Sequence, residues 1–544
     1  MRQAPIRAGG SKILAPMLRP ANLGAVKLFV VHHHFRPGGI RRVIELAVPP
    51  LVVALRPRVQ TVVLLGGEPP EAAWFARFRS HLGALPVATH ADSALRYVAE
   101  APLSPARRRH RLARFFEGVF ARPPSDPGVV WAHNLSLGRN PELARALTHI
   151  CAKHGYTLLL HHHDWWFDNR WQRWPEMRQS GFRTLGQVAD AILSTAPRVR
   201  HLAINRADAA ILRRHLGPRA GWQPNLAELA PRPSRAQAQR AQRWLAAQLG
   251  EAAPVWLLPC RLLRRKNLAE ALLLTRWLRP DAWLVTTGGV SSADEAAYAR
   301  RLEAAARAGR WKLRLGLLGG GEVGSPAIPE LLAASEAVLL TSLLEGFGLP
   351  YLEAAVARRP LIARTLPNIA PDLAHFGFRF PQAYREIRID PALFDWRAEL
   401  ARQQHLYSAW RQALPRTCRA QAGLPPLLLA GDQTRPVPFS QLTLQAQLEV
   451  LQQPLDYSWR RCAPLNPFLV AWCDRAARCR LALTPWPQRA AQFLGGAAYA
   501  ARFAAFLADR PPDRLPRSAG RAAQADFIRR KLAADNLYPL LWST

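Results

Sequence analysis

From Val26 onward the chain alternates short, unbroken apolar runs with longer stretches whose apolar residues recur at helical spacing. "VKLFVV" predicts a strand, and "GGIRRVIELAVPPLVVAL" predicts a helix that opens after a Gly pair. "VQTVVLLGG", "GVVWAHN" and "YTLLLHHHD" predict further strands, the last two separated by the helical "NPELARALTHICAKHG". Strands that are apolar throughout, with helices between them, belong to a parallel sheet covered on both faces. Past Ala230 the composition turns to Pro, Arg, Gln and Ala, as suits a linker or a surface helix. A second alternating series then runs through "VWLLPCR", "AWLVTTGG", "KLRLGLLGGG", "AVLLTSLLEG" and "RPLIART", which predicts a second parallel sheet with its own helices. After about Asp395 the strand signal fades into helices and Pro-rich loops such as "FSQLTLQAQLEVLQQ" and "QADFIRRKLAADN".

The pattern divides the chain into a flexible N-terminal segment (1–25), a first doubly wound, Rossmann-like domain (26–230), a linker (231–252) and a second such domain (253–394). A helical, Pro-rich insertion (395–485) and C-terminal helices (486–544) complete the α/β chain. A length of 544 residues exceeds what one core supports, so two domains and an appendage are the expectation on size as well.

Charge changes this picture only a little. The formal net charge is +36, and 68 of the 74 basic residues are Arg, spread along the chain with small clusters at Arg107–Arg109 and Arg264–Arg265. A nucleic-acid protein would show a basic stripe with interleaved aromatics, so no specific nucleic-acid partner is expected. A genome-wide bias toward Arg, Ala and Pro accounts for such a spread, and a basic surface meeting an anionic membrane or substrate is the alternative. The six Cys are scattered without a zinc-module spacing and read as reduced thiols. No apolar run approaches the ~20 residues of a membrane span, and the first 26 residues lack the apolar centre of a signal peptide. The expected location is cytoplasmic, with peripheral contact at the inner face of a membrane as the refinement that the charge suggests.

Candidate chemistry begins with histidine. Three predicted strands of the first domain end in it: "FVVHHH" (His32, His33, His34), "VVWAH" (His133) and "LLLHHH" (His161, His162, His163). In an open parallel sheet ligands bind outside the carboxyl ends of the strands, so these imidazoles belong at the mouth of a cleft. Consecutive strand residues point to opposite faces, which sends His161 and His163 one way and His162 the other. Three adjacent His therefore cannot share one ion, and only a centre assembled from several strands would bind metal. A cleft that handles hydroxyls and protons is the preferred reading, because neutral imidazole both donates and accepts. His133 and His163 are the expected functional positions, with Asp164 orienting an attacking hydroxyl and no metal bound. Most of the remaining His are expected only to hydrogen-bond loop carbonyls.

The most specific stretch is "LLTSLLEGFGLPYLEAAVARRPLIA". Glu345 follows an apolar strand, the glycines let backbone approach a ligand, and "PYLEAAVA" starts a helix whose first amides face the same cleft. This stretch closely resembles the donor-site motif of retaining glycosyltransferases of family 4, which have the GT-B fold. The family's Glu-x7-Glu pair falls on Glu345 and Glu353, with Gly346, Phe347, Gly348 and Leu349 between them in the donor site. The Gly usual before the Pro is read as Arg359. "LLPCRLLRRKN" resembles the family's strand-end Arg followed by Lys, here Arg261 and Lys266, and "FRPGGIRRVI" resembles its Gly-rich loop, with Gly38 and Gly39 at the donor phosphates. The resemblance covers roughly Val26 to Ile387 and weakens in the tail, although the last helices would cross back to the first domain as GT-B chains do.

The resemblance implies two Rossmann-like domains facing a cleft. It also implies a hexosyltransferase that takes a sugar from a nucleotide diphosphate sugar, UDP- or GDP-linked, with retention and without a catalytic metal or other cofactor. Glu345 would sit at the anomeric centre, Glu353 at the ribose hydroxyls, and Arg261 and Lys266 at the leaving diphosphate. The acceptor would be a hydroxyl of a small molecule, a glycan or a lipid-linked molecule. A sugar-nucleotide epimerase on the same fold is the rival enzyme class, and a non-catalytic basic binding protein is the rival outside catalysis.

Overall fold

The computed structural model describes residues 26–55, 59–120, 128–227, 231–290, 292–320, 324–429, 435–509 and 515–542. The segment 1–25, expected to be flexible, lies outside them. Two parallel sheets carry the described chain. The first contains β1 (Val26–Val31), β2 (Val59–Gly66), β3 (Val87–Ala91), β4 (Val129–His133), β5 (Thr157–His162), β6 (Val199–Ala203) and β7 (Ala220–Trp222) in the order β3-β2-β1-β4-β5-β6-β7. The second contains β8 (Val255–Leu258), β9 (Trp283–Thr286), β10 (Leu313–Arg314), β11 (Ala337–Leu340), β12 (Leu361–Arg364) and β13 (Gln382–Tyr384) in the order β10-β9-β8-β11-β12-β13.

The strands are near-continuous runs of Val, Leu and Ile because helices cover both faces of each sheet. Phe29, Val31, Leu158 and Leu160 enter one core of the first sheet, whereas Leu28, Val30 and Leu159 enter the core on its other face. The second sheet divides the same way, with Trp256 and Leu258 on one side and Val255 and Leu257 on the other.

Each strand order reverses once, between β1 and β4 in the first sheet and between β8 and β11 in the second. Such reversals are where open α/β sheets bind ligands, because the loops leaving the two flanking strands diverge and leave a crevice. Four of the sequence motifs leave these four strands: the Gly38–Gly39 loop after β1, His133 at the end of β4, the Arg261–Lys266 segment after β8 and Glu345 after β11. The two crevices face each other. Gly346 lies against the backbone of His163, and Arg261 Nη2 donates to the Pro37 carbonyl across the cleft at 2.8 Å. The architecture is that of the GT-B fold.

The rest of the chain is built into these two domains. Residues 231–252, read from composition as a linker, contain the helix Arg235–Leu249, started by a Ser234/Gln237 capping box. Its Leu245 is buried with Leu331 and Val338, so the helix packs on the second sheet. Phe439, Leu448, Leu469 and Trp472 of the 395–485 segment share a core with Leu272 and Trp277. The C-terminal helices return to the first domain. Tyr499 and Phe503 of the helix Gly496–Ala508 pack with Ile44 and Leu51, and Phe527 and Ile528 of the helix Arg517–Lys531 pack with Ile192 and Leu212. At Gly520 a Cβ would lie 2.2 Å from the Leu193 carbonyl oxygen, so glycine is what lets this helix approach so closely.

One reading of the motif needs correction. The helix Leu349–Ala357 ends at Arg358, which adopts a left-handed conformation with φ 51°. Arg359 instead donates from its guanidinium to the Ala333 carbonyl. The place where the motif carries Gly is therefore Arg358, two residues before Pro360, and not Arg359. A left-handed L-residue costs roughly 1–2 kcal/mol that glycine avoids. Arg358→Gly is expected to raise the thermal unfolding temperature by an amount equivalent to about 1 kcal/mol. An unchanged or lower midpoint in calorimetry would show that the arginine's own contacts outweigh the backbone strain.

Candidate active site

The second domain's two crevice loops converge on one carboxylate. After β8 the chain turns through Arg264–Lys266, and after β11 it runs through Thr341 and Ser342 to Glu345. The Thr341 hydroxyl donates to the Lys266 carbonyl at 2.8 Å, and Leu343 N donates to the Arg265 carbonyl at 2.7 Å, so the loops are tied by backbone as well. Lys266 Nζ forms an ion pair with Glu345 Oε1, Arg265 Nη1 donates to Oε2 at 3.0 Å, and Ser342 Oγ donates to Oε1 at 2.7 Å. The Glu345 side chain is only 9% exposed. Burial pushes its pKa up, but Lys266 and Arg265 outweigh burial and hold it down at about 2. A charged carboxylate is thus held rigidly at a switch point.

Glu353, two turns further on, is different. It lies on the helix Leu349–Ala357, which starts from Gly348 in a left-handed conformation (φ 80°) with Pro350 in its first turn. No described residue donates a hydrogen bond to its carboxylate, although it is half-buried. Burial raises its pKa, offset in part by Arg42 and Lys266. An underpartnered carboxylate beside a helix start is a ready acceptor for ligand hydroxyls. Phe347, expected among the donor contacts, instead packs with Phe376 in the apolar core, since a benzyl group following a buried strand gains more there than in a polar cleft.

Across the cleft, a Cβ at Gly38 would stand 3.2 Å from Arg261 Nη2, whereas Gly39 has nothing within 4 Å and leaves room for a ligand. Gly346 is the tightest point of the seam. A Cβ there would come within 2.7 Å of the His163 carbonyl oxygen and 3.0 Å of Ile204. Asn205 Nδ2 donates to the Gly346 carbonyl at 3.3 Å, and Asn368 Nδ2 donates to the Glu345 carbonyl at 2.7 Å. Beside this seam lies a cavity of about 240 Å³, lined by His163, Asp164, Arg170, Arg265, Glu345 and Lys531 among others. Asp164 accepts from Arg170 Nη2 (3.1 Å) and Asn134 Nδ2 (3.2 Å), and its own N donates to Asn134 Oδ1 at 2.8 Å. Burial raises the Asp164 pKa, but Arg170 and Arg265 reverse this and keep it below the usual carboxylate range.

Sequence reasoning missed Arg265, Arg170 and Lys531. Arg265 is hidden within a run of three basic residues. Lys531 forms an ion pair with Asp168 at 2.6 Å, a contact across 363 positions that no local pattern reveals.

The histidines follow the alternation argument. Parallel pairing sets His133 beside His161, so His161 and His163 share a side of β5 with His133, while His162 faces the other way and meets His201 at 3.0 Å. His32 Nδ1 bonds the His133 carbonyl at 3.1 Å, and His33 Nδ1 bonds the Leu95 carbonyl at 2.9 Å, as loop-bonding imidazoles should. His133 is fully buried and does not line the cavity, because it pairs with His161, two residues before the cavity-lining His163. It reaches the cleft only through His163, whose Nε2 lies 3.1 Å from His133 Nδ1. Of the two expected imidazoles, His163 alone lines the cavity.

Because Glu345 is charged to lower pH in the folded chain than in the unfolded one, its contribution to stability is complete above the unfolded carboxyl value of 4.5 and disappears as pH falls toward 2. Glu345→Gln is therefore expected to be less stable than the parent at pH 6 and to show a shallower loss of unfolding temperature between pH 4.5 and 2. Parallel curves for the two proteins over that range would show that the cations do not hold this carboxylate.

Comparisons with known proteins found the following similarities. The family model described as Glycosyl transferases group 1 matches residues 247–376. Mannosylglucosyl-3-phosphoglycerate synthase of Petrotoga mobilis is 24% identical over 253 residues, 44% of this chain, and the chain spans about half (47%) of that relative's length. Among solved structures, HepE of Anabaena in complex with UDP-glucose matches at 15% identity and a TM-score of 0.42, over 83% of this chain and 98% of that one. The catalytic domain of starch synthase IV from Arabidopsis thaliana, bound to ADP and acarbose, matches at 11% identity and a TM-score of 0.45, over 83% and 100%. The stretch that matches this family is the one that carries Glu345, Lys266 and Arg265 at the second domain's switch point.

Proposed function

We propose that the chain is a retaining glycosyltransferase that moves a hexose from a UDP- or GDP-sugar to a hydroxyl acceptor. The observation that carries this reading is the ionised Glu345 fixed by Lys266 and Arg265 where the second domain's switch point faces His163 and Asp164. The donor lies along the second domain. Glu353 accepts the ribose hydroxyls, and the amides that open the helix Leu349–Ala357 meet phosphate oxygens together with the Gly38–Gly39 loop. Arg261 exchanges the Pro37 carbonyl for the diphosphate, and Lys266 joins it there. Two positioned cations and a helix start supply the charge stabilisation that a divalent ion would otherwise supply, so the transfer needs no catalytic metal.

Glu345 stabilises the oxocarbenium-like centre as the glycosidic bond to the diphosphate breaks. The acceptor hydroxyl attacks from the same face and leaves its proton on a departing phosphate oxygen. Asp164 orients that hydroxyl, His163 lines its path, and His133 acts by positioning His163. The acceptor is a small molecule, a glycan or a lipid-linked hydroxyl. A hollow along β3, lined by Arg107, His110, Arg111 and Arg114, supports contact of the first domain with an anionic membrane. No helix among the described residues is long and apolar enough to cross one.

Glu353→Ala is expected to weaken binding of UDP or GDP by the equivalent of about 1.5–3 kcal/mol in calorimetry, whereas Glu345→Ala leaves that affinity nearly unchanged and lowers turnover. Equal losses of diphosphate affinity in the two variants would overturn these assignments.

Arg261→Ala and Lys266→Ala are each expected to slow transfer by roughly 2.7–4 kcal/mol of transition-state stabilisation, measured in buffer containing EDTA. Parent-like turnover in both variants would assign the diphosphate to other groups.

A further inference from the structure

Where His163 lines the cleft, His133, His161 and His163 each bring one ring nitrogen within 4.8 Å of the others. The ring centroids are 5.4 Å apart for His133–His161, 5.4 Å for His133–His163 and 4.5 Å for His161–His163. We propose that these three imidazoles bind one divalent transition-metal ion, zinc foremost, which ties the carboxyl end of β4 to that of β5.

The spacing of one pair suits the chemistry. His133 Nδ1 and His163 Nε2 lie 3.1 Å apart. Two nitrogens at that separation subtend roughly 95–100° at an ion ~2.05 Å from each, close to the tetrahedral angle of zinc. His161 Nε2 bonds the Gln223 carbonyl at 3.3 Å, the kind of outer bond that fixes the tautomer of a ligating imidazole and leaves Nδ1 for the ion. Trp131 Nε1 donates to that Nδ1 across 3.3 Å, the long end of hydrogen bonding, so this is the bond an ion displaces.

As a hydrogen-bonded cluster the three rings leave one buried nitrogen without a partner. That nitrogen is His133 Nε2. His163 keeps Nδ1 for the cleft while Nε2 faces the ion. Since the His163 carbonyl also abuts Gly346, an ion here stiffens the wall against which the second domain closes. The ion is separate from Arg261 and Lys266, and the proposal does not rest on the transferase reading.

The test needs neither donor nor acceptor. The untagged full chain is purified and its metal content measured by inductively coupled plasma mass spectrometry, beside His161→Gln. The expected result is near-stoichiometric zinc in the parent and at least a tenfold loss in the variant. Cobalt exchanged into the parent should give the visible absorption of a four-coordinate ion, which decides the matter even if the variant fails to fold. A parent that carries no metal and shows neither a cobalt band nor a thermal shift with added zinc would overturn the proposal. Undiminished metal in a folded His161→Gln chain would do the same.

Discussion

The second domain is organised around keeping one buried carboxylate charged. Removing Glu345 from water would by itself favour the protonated form, and only the approach of Lys266 and Arg265 reverses that preference. Those cations come from the loop after β8 and the carboxylate from the loop after β11, so the ion cluster forms only if the sheet places these two strands side by side. Strand order, the Thr341 and Leu343 bonds between the loops, and the helix that follows Gly348 all serve that juxtaposition. A buried ion cluster is weak evidence of stability in general, because desolvation offsets its attraction. At the mouth of a cleft it is preorganised charge, which is what the proposed transfer requires.

The second constraint is the seam. Gly346 rests against the His163 backbone with no room for a side chain, so the carboxylate loop of one domain and the strand end of the other are read against each other at close range. The C-terminal helices hold this arrangement from outside. After crossing from the second domain they pack on both faces of the first sheet, and Lys531 ends beside Asp168 at the cavity wall. The chain beyond the second sheet is thus part of the framework of the cleft.

Much of this was legible in the sequence. Continuous apolar strands and intervening helices exposed both sheets, because burial on both faces leaves an unmistakable pattern. Glu345, Glu353, Arg261 and Lys266 were singled out through the resemblance of their loops to the family's donor-site motif, and the fold brings Lys266 to Glu345. The alternation rule correctly separated His162 from His161 and His163. What escaped depended on three-dimensional registration. The depth of His133 follows from its pairing with His161 across two strands, and the position of Phe347 in the core follows from helix packing. Arg265 could not be told from its basic neighbours, since all three share one short turn and only the turn decides which guanidinium meets the carboxylate. The 231–252 stretch looked like a linker by composition, yet Leu245 gives it a buried edge.

The central claim is that the cluster of Glu345, Lys266 and Arg265 forms the reacting centre of a sugar transfer with retention. The most direct test incubates the full chain with α-linked UDP- and GDP-hexoses and a pool of small-molecule, glycan and lipid-linked hydroxyl acceptors. The anomeric configuration of the new linkage is then read by NMR. The account predicts that one donor class is consumed, that the product linkage is α, and that Glu345→Ala abolishes its formation. A β-linked product, or an α-linked product formed equally well by the variant, would contradict it.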